Sequence, residues 1–171
     1  MSQDAEFDLD LDETDIEILR RVEENSDVNL EELSNELDLS KSAIHYRLNK
    51  LKDADVITAT SADVDPLALG LNMMMLTEVT VSHDTGYAEE IGESLTEVDG
   101  VCQAYYTMGD IDFVVISRVQ DRDQMNGIID AIIGIDGVNA TSSRFVMKEL
   151  KTGSETVANM SDEMIQNVVS E

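Results

Sequence analysis

Ser40–Lys52 reads SKSAIHYRLNKLK. Ile44, Leu48 and Leu51 recur at i, i+4 and i+7, the spacing of one apolar stripe along an α-helix. Ser40 stands where an N-cap belongs. On a wheel of about 100° per residue, Ser42, Tyr46, Asn49 and Lys50 point away from that stripe, with His45, Arg47 and Lys52 on the flanks. Between Lys41 and Lys52 there are four basic residues and no acid, in a chain of formal charge −26; everything outside this window sums to −30. A helix that reads DNA needs this mixture: short polar groups and an aromatic to reach base edges, and Lys or Arg to hold phosphates. A solvated amphipathic helix also turns cations outward. The complete absence of acid in so acidic a chain favours the first reading.

The residues upstream supply the rest of the unit. In DETD, Asp12 caps a helix and Asp15 occupies its third position, near the positive end of the helix dipole. Ile16, Leu19 and Val22 follow at helical spacing. NSDVN breaks the pattern, Asn29 caps a second helix with Glu32 three residues on, and Leu30, Leu33 and Leu37 form its stripe. LDLS is a tight turn into Ser40. Three short helices joined in this way read as a helix-turn-helix over residues 12–59, after an acidic tail, residues 1–11. Asp38 and Asp55 fall where left-handed turn residues follow helices. Downstream, Val56 and Ile57 with the Thr/Ser/Ala alternation suggest a short β segment or wing. Pro66 and Gly70 mark a boundary, giving a linker at 60–70.

Residues 71–150 contain a repeat. VTVSHDTGYAEEIGESLTEVDGVCQAYY from Val79 aligns with ISRVQDRDQMNGIIDAIIGIDGVNATSS from Ile116 at an offset of 37, matching Asp84 with Asp121, Ile91 with Ile128, and DGV with DGV. Each unit reads strand, helix, Asp-Gly turn, strand, with Asp84 and Asp121 as expected caps. Met73, Met75, Val79 and Val81 share one strand face, and Met125, Ile128, Ile129 and Ile132 one helix face. Two units give βαββαβ, an antiparallel four-stranded sheet with both helices on one side. The bare face, with Met74, Leu76 and Tyr106 among its candidates, calls for a second subunit. Residues 151–171 form a polar tail with a short helical pattern from about Ser161.

Composition closes off other classes. No apolar run approaches the length of a membrane span, and MSQDAEFDLDLDE is acidic where a signal peptide is basic. One cysteine, Cys102, and two distant histidines, His45 and His83, give no disulfide framework and no metal site, which fits a reducing cytoplasm. GxSxG, P-loop, GxGxxG and HExxH patterns are absent, so neither an enzyme nor a cofactor is expected. Thirty-seven acids against five lysines suggest a surface adapted to very high salt. At ~1 M salt the Debye length is about 3 Å, so the acidic remainder would hardly be felt at a DNA surface.

LDETDIEIL, LSKSAIHYRLNKL, DPLALG and GDIDFVV, in this order over about residues 9–150, resemble the Lrp/AsnC family of prokaryotic transcriptional regulators. The resemblance implies an α+β chain with an N-terminal winged helix-turn-helix and a C-terminal βαββαβ domain of the ferredoxin-like, RAM type. It implies double-stranded DNA as a partner, dimers that assemble further, and a small amino-acid-like effector. With the acidity, it implies a haloarchaeal member. Asp38 and Asp55 depart from the family's usual glycines, and the third helix carries fewer arginines than many members. On DNA, Ser42, His45 and Tyr46 would face bases, Asn49 would share their outward face, and Lys41, Arg47 and Lys50 would take phosphates. By the same resemblance the effector sits between subunits around TMGDIDF, the turn joining the second and third strands. Gly109 would allow close approach, Asp112 or Asp110 would accept an ammonium, and Thr141 and Ser142 would assist from the last strand. An ordinary Gly-Asp hairpin turn is the simpler alternative for that segment. The competing function is a small-molecule sensor whose helix-turn-helix makes protein contacts rather than DNA contacts.

Overall fold

The computed structural model describes residues 10–25, 28–59, 62, 64–83, 86–153 and 155–169. These fall into two compact units, one within Met1–Asp63 joined by Thr152–Glu171, the other Val64–Lys151.

The first unit holds α1 (Glu13–Glu24), α2 (Leu30–Glu36) and α3 (Lys41–Asp53). Each begins at the cap expected from its sequence. The Asp12 carboxylate accepts from Asp15 N–H while that of Asp15 accepts from Asp12 N–H, a reciprocal capping box. Asn29 accepts from Glu31 N–H and Ser40 from Ala43 N–H. Asp38 (φ 52°) and Asp55 (φ 55°) adopt the left-handed region. Ile16, Ile18, Leu19, Leu33, Ile44 and Leu51 make the core, each worth about 1.5–3 kcal/mol against exposure. Val157 joins them, and the helix α6 (Asp162–Val169) packs Ile165 and Val169 against the same cluster. The Glu23 carboxylate accepts from the N–H groups of Thr156, Val157 and Ala158. The polar segment after residue 151 is thus part of this unit. No strand forms at Val56 and Ile57. Both N–H groups donate to the Leu51 carbonyl and so close the end of α3 instead of pairing with a neighbouring strand.

The second unit opens with a 3-10 turn, Pro66–Leu69, anchored by Gln120 Nε2 donating to the Leu69 carbonyl. Strands β1 (Met73–Val81), β2 (Val101–Tyr106), β3 (Phe113–Val119) and β4 (Val138–Phe145) form an antiparallel sheet in the order β2-β3-β1-β4, with helices α4 (Tyr87–Thr96) and α5 (Arg122–Ile133) between β1 and β2 and between β3 and β4. Met75, Val79, Val81, Phe113, Val115 and Val119 pack against Ile91, Leu95, Ile128 and Ile132. Asp121 caps α5. Asp84, the corresponding expected cap, lies outside the described residues.

The repeat is visible in the packing. A Cβ on Gly100 would lie 2.8 Å from Ile128 Cδ1, and one on Gly137 would lie 3.0 Å from Ile91 Cδ1. The turn glycine of each repeat therefore admits the matching isoleucine of the other. The offset of 37 does not extend into the first strands, because Val79 is buried while Ile116 faces the bare side. The last buried residues, Val81 and Val119, are instead one residue further apart, since the connection before α5 is shorter. Tyr106 also departs from expectation. The β2 register shifts between Val101 and Gln103, which turns Tyr106 to the helix side opposite Phe113 and puts Tyr105 on the bare face opposite Val114. That face carries Met74, Leu76, Val114 and Ile116 beside the ion pairs Glu78–Arg144 and Arg118–Glu149.

Candidate functional site

Burial of Ile44 and Leu51 turns the opposite side of α3 outward. Ser42, His45, Tyr46 and Asn49 are exposed, Tyr46 by 71%. His45 Nδ1 and Asn49 Nδ2 lie 3.2 Å apart, one turn from each other. Lys41 is exposed and pairs with Glu31 at 2.9 Å. Lys50 donates to the Asp10 carbonyl at 2.7 Å. Arg47 departs from its expected place among the free cations. Its guanidinium is half-buried, 2.6 Å from Asp15 Oδ1 and 2.7 Å from Asp12 Oδ2. The hydrogen bond to Asp15 raises the Arg47 pKa, against the opposing effect of burial. For Asp12, burial opposes the charge, but the Asp15 N–H and the Arg47 guanidinium outweigh it and hold the carboxyl below its usual range.

The β2–β3 connection forms a second concentration of polar groups. Thr107 N–H donates to the Asp112 carbonyl at 2.8 Å and Thr107 Oγ1 to the Ile111 carbonyl at 2.5 Å, closing a loop whose tip is Met108, Gly109 and Asp110. Gly109 has φ 142°, and a Cβ there would meet nothing within 4 Å. Its backbone is open to an approaching group. Asp110 is exposed, whereas Asp112 is buried. Asp112 Oδ2 accepts from Val81 N–H at 2.9 Å, and Oδ1 lies 2.6 Å from His83 Nε2. Burial disfavours the Asp112 carboxylate, yet these two partners keep its pKa below the ordinary value. Asp112 is therefore committed to the fold, and Asp110 is the carboxylate left facing outward.

Thr141 and Ser142 are not brought to this loop within one chain. They lie on β4, and β1 intervenes between β3 and β4. They also face opposite ways: Thr141 stands opposite Val79 on the helix side, and Ser142 opposite Glu78 on the bare side. In their place the chain supplies residues that sequence reading left out. His83 stacks on Tyr87 with ring centroids 4.9 Å apart, and the Tyr87 and Tyr106 hydroxyls are 2.7 Å apart. His83 and Asp112 are 29 residues apart, so no local pattern could have paired them.

Both units match known families. Residues 11–58 match the winged helix-turn-helix DNA-binding model, and residues 75–156 match the Lrp/AsnC ligand binding domain. The HTH-type transcriptional regulator FL11 of Pyrococcus horikoshii is 33% identical over 145 residues, which are 85% of this chain and 95% of that protein. The chain belongs to the Lrp/AsnC family. LrpA1 of Halobacterium salinarum is 28% identical over 84% of this chain and all of its own length. Among solved structures, a transcriptional regulator of Neisseria meningitidis in complex with L-Met superposes with a TM-score of 0.82 at 27% identity, covering 87% of this chain and 97% of that one. Escherichia coli AsnC gives 0.77 at 25%, covering 84% and 97%. This Lrp/AsnC protein is thus a DNA-binding transcriptional regulator with a ligand-binding domain, not an enzyme. Among the described residues, no helix is long and apolar enough to cross a membrane.

Proposed function

We infer that this Lrp/AsnC regulator places the outward face of α3 in the DNA major groove and answers to an amino acid or close relative bound at the 107–112 loop. The observation that carries the first half is the exposed face of Ser42, His45, Tyr46 and Asn49, flanked by Lys41 and Lys50, with no acid in α3 before Asp53 at its C-terminal end. Two copies, paired through the bare sheet face with Met74, Leu76, Val114 and Ile116, present two such helices to a pseudo-palindromic site in the cytoplasm. Further assembly of dimers accompanies effector binding. The acidic surface keeps the protein soluble and monodisperse in high salt.

The effector half is supported by the ligand-binding family match and by the L-Met bound to the Neisseria regulator. Locally, Gly109 leaves backbone open to a carboxylate, and Asp110 offers an acceptor for an ammonium. Thr141 and Ser142 contribute only from a second copy, because their own strand lies at the other edge of the sheet. A ligand lodged between copies shifts DNA binding by favouring one assembly over another. Calorimetry against the twenty amino acids, paired with light scattering, tests this. Gly109→Val and Asp110→Ala should each weaken binding by about tenfold or more, and Asp110→Ala should leave DNA binding intact. A ligand bound with unchanged affinity by both variants puts the pocket elsewhere. No binding at millimolar concentration rejects an amino-acid effector.

A further inference from the structure

The four cations of α3 are not equivalent. Lys41 is exposed and its partner Glu31 is exposed too, so it can exchange that partner for a phosphate at little cost. Arg47 cannot. Its main partner, Asp15, has a side chain that is 1% exposed. Both Asp15 oxygens are in use: Oδ1 takes Arg47 at 2.6 Å, and Oδ2 takes the Asp12 N–H at 3.3 Å with Lys50 Nζ at 3.8 Å. Withdrawing Arg47 to meet DNA would strand a buried carboxylate, a heavily penalised state.

The geometry assigns Arg47 a different role: it is a positioning residue that locks α3 onto α1 through Asp15 and so fixes the angle at which Ser42, Tyr46 and Asn49 meet the bases. This rests on the reading that α3 is the helix facing DNA. Ile44 and Leu51 bury the inner stripe of α3, but apolar contact is non-directional and leaves rotation weakly defined. Charge-assisted hydrogen bonds are short and directional. Arg47 lies three residues after Ile44 and four before Leu51, at the edge of the stripe. Lys50, one turn on, reaches the same end of α1 through the Asp10 carbonyl. Asp12 belongs to both devices: its Oδ1 caps α1 and its Oδ2 takes Arg47. The capping box that starts α1 thereby sets the rotation of α3, thirty-two residues later.

The salt dependence of DNA binding by the full chain separates the roles, because each phosphate contact adds about 0.9 to the slope of log affinity against log salt. A fragment selected by the wild-type protein is the probe. Lys41→Ala should lower the slope by about one. Arg47→Met should weaken binding by roughly tenfold with the slope unchanged. The double variant Arg47→Met with Asp15→Leu leaves no stranded carboxylate but restores no directional contact, so the unfolding midpoint should recover while affinity stays within about threefold of Arg47→Met at the wild-type slope. Asp15→Asn gives opposite signs for the two roles. It removes a negative charge near the DNA and loosens Arg47, which keeps only Asp12, so a phosphate contact predicts tighter binding and a positioning role weaker binding. A slope reduced by about one in Arg47→Met, or tighter binding by Asp15→Asn, overturns the assignment. An unchanged slope in Lys41→Ala overturns instead the reading that α3 faces the DNA.

Discussion

Tyr87 and Tyr106 hold their hydroxyls 2.7 Å apart at the edge of the 107–112 loop. The hydrogen bond with Tyr106, followed by burial, pushes the Tyr87 pKa up to about 12. The sign follows from which form the fold prefers. A raised pKa means that the neutral phenol is favoured in the folded protein, so this contribution is complete below the unfolded value of about 10 and is lost as pH rises through about 12. Ultraviolet titration should show a late tyrosine ionisation near 12 that belongs to Tyr87. Tyr106→Phe should bring that late ionisation back to about 10. A late phase that survives Tyr106→Phe would mean that the hydroxyl pair is not its cause. Neither this pair nor the His83–Asp112 contact was legible in the sequence, because both depend on strand register rather than on local spacing.

The helices of the first unit were legible for the opposite reason. An i, i+4 stripe and a cap two or three residues from its target are local facts, and Asp12, Asn29 and Ser40 each cap as their positions require. Strand facing was legible in β1 and not in β2. Simple alternation puts Tyr106 on the bare side, but one irregularity between Val101 and Gln103 reverses every later residue. The role of the last segment was hidden too, since its anchor Glu23 is more than a hundred residues away. That segment is an element of the DNA-binding unit, with Val157 buried and Met160, Ile165 and Val169 packed beside it. Val157→Ala should lower stability by about 1–2 kcal/mol, through lost methyl burial and the cavity left behind. Truncation after Thr156 should cost more and lower the unfolding midpoint seen by circular dichroism. A truncated chain that melts at the wild-type temperature would reduce the segment to an appendage.

The molecule as a whole carries −26, while α3 carries no acid from Lys41 to Lys52 and only Asp53 at its last position. In dilute buffer the carboxylates repel both DNA and one another. At about 1 M salt that repulsion is confined to about 3 Å, and under the proposed function local complementarity on α3 would then decide binding. Under the proposed function the acidity and the basic helix form one arrangement: a surface that would stay dispersed in salt, with one window open to phosphate and base edges. Specific recognition by that window is tested most directly by site selection from a randomised duplex pool at about 1 M salt, run in parallel for the wild type, Tyr46→Ala and Ser42→Ala. The wild type should enrich a pseudo-palindromic motif whose half-sites lie one helical turn, about 10–10.5 base pairs, or a multiple of it apart. Each variant should enrich a different half-site sequence at the same spacing. An unchanged motif in both variants, or no enrichment by the folded wild-type protein, would contradict recognition through the outward face of α3.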